Sequence, residues 1–226
     1  MEGMRPGRRL LAASARRRTG VLLAGCAVLV AVLGVLFVRQ STADGFDHAV
    51  DAPVITGFAS HHALALRLAY PGTTIPAIVL SVVIAVACLI TGRLRGAVLA
   101  ILAVPAAVGL CEVMIKPLVH RTYIGQVVYP SGHTTTIFAL AATITVLLLA
   151  PPRPAMPTWL RLLILAVAYV TCVAVVAGVI ALRFHYFTDT VAGAAVGIGT
   201  VCSLALVLDL IPAVRPSRIP HRSAAT

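Results

Sequence analysis

Two short polar stretches, set among long apolar runs, hold most of the chemistry available to this chain. One covers residues 116–133 and contains Lys116, His120, Arg121 and the tetrapeptide Pro130-Ser131-Gly132-His133. The other covers residues 183–189 and contains Arg183, His185 and Asp189. Imidazoles move protons or attack electrophiles near neutral pH. His185 and Asp189 are four residues apart, which on a helix puts both on one face. A carboxylate beside an imidazole fixes its tautomer and stabilises the charged ring, as an oriented nucleophile or base requires. Asp189 is equally suited to open an apolar helix as a capping residue. Ser131, Gly132 and His133 stand at the start of another apolar run. A helix N-terminus there offers free N–H groups to an anion, and glycine admits it closely. Ser131 also fits a plain capping role, with Thr134, Thr135 and Thr136 adding local hydrogen bonds. Lys116, Arg121 and Arg183 supply fixed positive charge, arginine through a bidentate fork and lysine as a point charge. Snorkelling at an interface is the plainer role for such residues, but their concentration beside histidines favours an anion site.

The remaining ionisable residues offer less. Glu112 and Asp209 are isolated acids, and Asp44, Asp47 and Asp51 read as a solvated loop. The five cysteines, Cys26, Cys88, Cys111, Cys172 and Cys202, lie inside apolar runs without a CxxC pair, so they read as small buried hydrophobes. No spacing suggests a metal site, and no cofactor is expected. His120 reads as an interfacial histidine, and the pair His61-His62 has no assigned role.

The elements that must position these groups follow from composition. Of the 226 residues, 60% are hydrophobic and 11% charged, against about half and a quarter in soluble domains. A chain so apolar cannot cover its own surface in water. The net charge of +11 with 5% aromatic residues does not indicate nucleic acid, because the basic residues flank apolar runs instead of forming an aromatic-interleaved stripe. The expected architecture is all-α, a polytopic membrane bundle of six transmembrane helices near residues 21–38, 74–91, 97–115, 134–150, 162–182 and 189–211. The first run lacks a clear cleavage site after Val38 and is read as an uncleaved span. Basic tails are expected at residues 1–19 and 212–226, flanking a membrane domain at 20–211. A long outer connection at 40–72 carries an amphipathic interfacial helix near 54–68. With both termini in the cytoplasm, thirteen basic residues lie inside and five outside, which obeys the positive-inside rule. Both polar stretches then face outward, at a depth where ionisable groups need a functional reason.

On these residues the chain resembles the type 2 phosphatidic acid phosphatase superfamily, in its membrane lipid phosphate phosphatase branch. That family carries a Lys-and-Arg signature, then Pro-Ser-Gly-His, then Ser-Arg with a His and an Asp four residues later. The second stands here as Pro130-Ser131-Gly132-His133, and the end of the third as His185-Tyr186-Phe187-Thr188-Asp189 followed by Val191-Ala192-Gly193. The resemblance covers roughly residues 110–199. It departs at two places. The position seven after Lys116, usually Arg, is Tyr123, so Arg121 is expected to serve instead. The usual Ser-Arg positions are Gly178 and Val179, so Arg183 is expected to reach the phosphate.

The resemblance implies a metal-free phosphatase acting on a membrane lipid phosphate or polyprenyl (di)phosphate at the outer face of the cell membrane. His185 would form a phosphohistidine, Asp189 would orient His185, and His133 would protonate the leaving oxygen. Lys116, Arg121, Arg183 and the Ser131-Gly132 backbone would hold the phosphate oxygens. Two histidines of separated pKa would give a bell-shaped rate profile. A phosphotransferase using the same site, and a non-catalytic transporter or scaffold, are the alternatives.

Overall fold

A computed structural model describes residues 10–149 and 156–211. Residues 1–9 and 212–226 of the expected basic tails, and residues 150–155 of the loop holding Arg153, lie outside the described residues. The chain is almost entirely helical. In order it forms α1 (Ala13–Leu36), α2 (Gly45–Gly57), α3 (His62–Ala69) with a following 3-10 turn (Tyr70–Gly72), α4 (Thr74–Ile90) and α5 (Leu94–Gly109). A π-helical turn (Leu110–Ile115) joins α5 to α6 (Lys116–Val119), and a two-stranded hairpin, β1 (Thr122–Tyr123) with β2 (Gln126–Val127), follows. The chain ends in α7 (Gly132–Leu149), α8 (Thr158–Ala181) and α9 (Phe187–Leu210).

Among the described residues, five helices are long and apolar enough to cross a membrane: α1, the continuous run Leu94–Val119, α7, α8 and α9. A sixth arises if α3 with its turn and α4, bent by 41°, count as one span. The all-α polytopic bundle expected from composition is therefore the architecture found. Its outer faces carry Val21, Val28 and Val35 of α1, Ile75 and Val79 of α4, and Val167 and Val170 of α8, all exposed. Apolar residues all round a helix suit a bilayer rather than water.

The interior is built from small residues, as close helix approach in a membrane requires. A Cβ added to Gly193 of α9 would stand 2.5 Å from the Ser131 carbonyl oxygen. One added to Gly197 would stand 2.5 Å from the Thr135 carbonyl oxygen and 2.8 Å from the Ala139 nitrogen. Glycines four apart thus let α9 lie directly on the backbone of α7. Ala139, Ala192 and Ala205 are fully buried, and Leu99, Ala100, Ala103 and Ala107 of α5 close the layer.

The outer connection differs from expectation. Two helices replace the single one expected near 54–68. Asp44 Oδ1 accepts the Asp47 N–H at 2.7 Å, an N-cap that starts α2 at Gly45. The chain breaks after Gly57 before α3 resumes at His62. α3 packs on α8, where a Cβ on Gly178 would come within 2.7 Å of the Ala69 nitrogen. Asp47 and Asp51 are buried on α2, which corrects their reading as solvated acids.

Asp209 is not isolated either. It accepts the backbone N–H groups of Leu10 (2.6 Å) and Leu11 (2.9 Å), and Arg95 Nη1 lies 3.4 Å away. This ties the start of α1 to the end of α9. At the opposite end of the bundle, Arg39 N–H donates to Val119 O (2.8 Å), Thr122 N–H to Gln40 O (2.8 Å) and Ser131 N–H to Asp189 O (3.0 Å). Those bonds hold the α1–α2 connection, the hairpin and the starts of α7 and α9 together, and both polar stretches lie there.

Candidate active site

A cavity of about 1010 Å³ opens at this end and is lined by Lys116, Gly132, His133, Arg183 and His185. Five residues from the two polar stretches meet in it. Its deeper wall is apolar and comes from the spans: Ala77 and Ile78 of α4, Val104, Pro105 and Val108 of α5.

His185 is 8% exposed. Its Nδ1 lies 3.0 Å from the Val128 carbonyl oxygen. A carbonyl only accepts, so Nδ1 carries the hydrogen and the neutral ring keeps its lone pair on Nε2. Burial, then the nearby positive charge of Lys116 and of His133, push the His185 pKa down to about 3, against the opposing Val128 hydrogen bond. The ring is therefore neutral at ordinary pH, the form that can attack. The His133 ring stands across the cavity, centroids 6.3 Å apart and inclined at 64°.

Lys116 opens α6, directly after the π-helical turn, a feature that tends to mark functional sites. Its Nζ lies 2.8 Å from Glu112 Oε1, and Glu112 also lines the cavity. Sequence spacing gave a signal for this pair, since the two are four apart on a helix. Arg183 has a left-handed backbone, φ 57°, an uncommon conformation for a non-glycine residue. It follows α8 and lines the cavity from an exposed position. Tyr123, seven residues after Lys116, also lines the cavity, and its ring lies 4.4 Å from that of Tyr186. Gly178 is pressed under the α3 backbone and Val179 is fully buried, so neither position opens toward a phosphate.

Three expected site residues do other work. Ser131 is fully buried, and its Oγ accepts the Thr134 hydroxyl at 3.1 Å. It serves the start of α7 and does not line the cavity. Arg121 was expected on the phosphate but is 0% exposed and lies outside the cavity. Its guanidinium bonds Asp189 Oδ1 (2.7 Å), Thr188 Oγ1 (2.7 Å) and Asp47 Oδ2 (2.5 Å). It is sandwiched between the rings of Phe37 (4.0 Å) and Tyr186 (4.3 Å). Burial works against that charge, but Asp189 and Asp47 outweigh it and hold the Arg121 pKa above its ordinary value. Its Nε has no partner, but a buried cation held by two carboxylates outside the cavity is not available to a ligand there.

Asp189 was expected to orient His185, yet the backbone carbonyl of Val128 takes that place. The Asp189 carboxylate bonds Arg121 and, through Oδ2, the Tyr186 N–H at 3.0 Å. The physical reason is local: α9 begins at Phe187, so His185 precedes the helix and the four-residue spacing does not put the two side chains on one face. Asp189 instead reaches back to cap the first turn.

Sequence reasoning missed the partners of this cluster. Asp47 accepts the Thr188 N–H through Oδ1 and the Thr188 hydroxyl through Oδ2, each at 2.9 Å. Asp51 Oδ1 accepts the Phe187 N–H at 3.2 Å. Burial, followed by repulsion from Asp47, pushes the Asp51 carboxyl up to about 7. α2 is thus clamped to the N-terminus of α9, where free N–H groups favour carboxylates. The signal in the sequence was Asp44 as cap with Asp47 and Asp51 four apart. His120 is exposed and ends α6 in a left-handed conformation, φ 49°.

The family model described as PAP2 superfamily matches residues 97–210. No curated protein and no solved structure matches the chain.

Proposed function

The chain belongs to the PAP2 superfamily, and on that premise we propose that it is a lipid phosphate phosphatase working through a phosphohistidine. Family membership together with the apolar helices makes it a membrane protein of a phosphatase-type family. The observation that supports a lipid substrate is the two-sided cavity. Its polar end gathers Lys116, His133, Arg183 and His185, while Ala77, Ile78, Val104 and Val108 offer an apolar wall at membrane depth. A phosphate ester with a long apolar chain fits both ends at once.

In the proposed reaction, Nε2 of His185 attacks phosphorus while the Nδ1–H bond to Val128 steadies the charge developing on the ring. The bond from phosphorus to the ester oxygen breaks, and His133 gives that oxygen a proton. His133 then takes a proton from water as it attacks the phosphohistidine, which returns His185 and releases phosphate. Lys116, Arg183 and backbone N–H groups near Gly132 hold the equatorial oxygens. Asp189 acts at one remove, by holding the start of α9 and Arg121. The excess of basic residues that the sequence carries in its tails and in the loops after the second and fourth expected spans supports a site on the non-cytoplasmic face of the cell membrane.

The test is phosphate release by the full chain in detergent with EDTA, using polyprenyl (di)phosphate, phosphatidic acid and phosphatidylglycerol phosphate. Activity is expected to survive EDTA and to fall by about a thousandfold or more in His185→Ala. A wild type silent on every lipid, or a mutant as active as wild type, would overturn the reading.

A further inference from the structure

Glu112 is the one acid lining the catalytic cavity among the described residues, and the reaction above gives it no task. Its Oε1 lies 2.8 Å from Lys116 Nζ and 3.8 Å from Cys111 Sγ. A Cβ built on Gly132 would stand 2.8 Å from the same oxygen, so the carboxylate rests directly over the first residue of α7. One negatively charged oxygen thus sits between an ammonium group and a helix N-terminus, the two features that attract a phosphate oxygen there.

We propose that Glu112 is an anion-screening residue whose carboxylate competes with phosphate for Lys116 and the start of α7, so that a phosphate is held tightly only when a long apolar chain anchors it. This rests on the phosphatase reading. Any anion that takes Lys116 must turn the Glu112 carboxylate aside and then lie near its charge. Glu112 has room to move, because its side chain is 42% exposed. Orthophosphate and short esters have only their charge to set against that displacement. A long-chain ester also buries its methylenes against Ala77, Ile78, Val104 and Val108, and each adds favourable free energy. Binding energy from the unreactive part of a substrate is thereby used to clear the reacting centre. The same device limits inhibition by the phosphate product.

The experiment compares wild type with Glu112→Gln and Glu112→Ala, using butyl phosphate and hexadecyl phosphate, which differ only in chain length. Both variants are expected to raise kcat/KM for butyl phosphate and for hexadecyl phosphate by the same factor, about tenfold, and to tighten orthophosphate binding by a similar factor. Orthophosphate binding is read from the ligand-induced rise in Tm, which needs no turnover. If Glu112 only steadies Lys116, the variants slow both substrates by the same factor and weaken orthophosphate, and the proposal falls. A wild type without phosphatase activity sinks the reaction but not this test, because the Tm rise still reports the competition. A phosphate-induced rise equal to or smaller than that of wild type in both variants overturns it.

Discussion

The bond from His185 Nδ1 to the Val128 carbonyl decides which histidine does what. It leaves Nε2 free, and burial keeps the ring neutral down to about pH 3. Loss of the His185 lone pair therefore contributes no acid limb to activity in the ordinary range. The bell expected from two separated histidines becomes one-sided: kcat/KM falls only as pH rises and the acid at His133 loses its proton. After correction for the substrate's own ionisation, near pH 6 for a phosphomonoester, wild type is expected to lose activity steadily as the pH rises. His133→Ala is expected to be at least a hundredfold slower and flat. A pH–rate series on both proteins checks this, and an acid limb near pH 6 in wild type would contradict it. The site histidines, Lys116, Gly132 and Arg183 were legible in the sequence because polar residues among apolar runs stand out. The roles of Arg121 and Asp189 were not. The partners of Arg121 lie 74 and 68 residues away, and spacing along one stretch reveals no such contact.

Among the elements, the α7–α9 pair positions the two halves of the site. α7 begins at Gly132 beside His133, and α9 begins just after His185. Gly193 and Gly197 keep their backbones in contact. Gly197→Ala is expected to push the helices apart and cost about 1–3 kcal/mol. A thermal melt in detergent would show it as a lowered Tm, with phosphate release falling in parallel. A melt equal to that of wild type would mean the contact is slack. The spans were legible because twenty apolar residues in a row allow little else. Their neighbours were not: nothing in α2 alone says that its acids meet the start of α9. The helix expected near 54–68 also failed because Asp44 caps an earlier start and the chain breaks after Gly57.

At the scale of the whole molecule, the two ends of the bundle differ. Arg16, Arg93 and Arg95 stand with Asp209 and Leu147 at one end, and the cavity opens at the other. The proposed orientation puts the cavity end outside. The native cysteines are all buried and free, so a single introduced thiol can report on each side. Ser60 and Thr91 are exposed at opposite ends. In intact cells, Ser60→Cys is expected to react with an impermeant maleimide, and Thr91→Cys only after permeabilisation. The reverse pattern would put phosphate release in the cytoplasm.

The clamp on α2 has a further consequence, for the order in which the protein is made. Asp47 leaves the ribosome early, yet Arg121 follows 74 residues later and Thr188 141 residues later. Synthesis runs from the N-terminus at roughly 5–20 residues per second, so the acid waits several seconds for its partners. During that interval the acids of α2 lack the helix start that they cap, and His185 has not yet been made. The clamp and the cavity are therefore completed together, by insertion of the last helix, and a nascent chain stalled before α9 has neither.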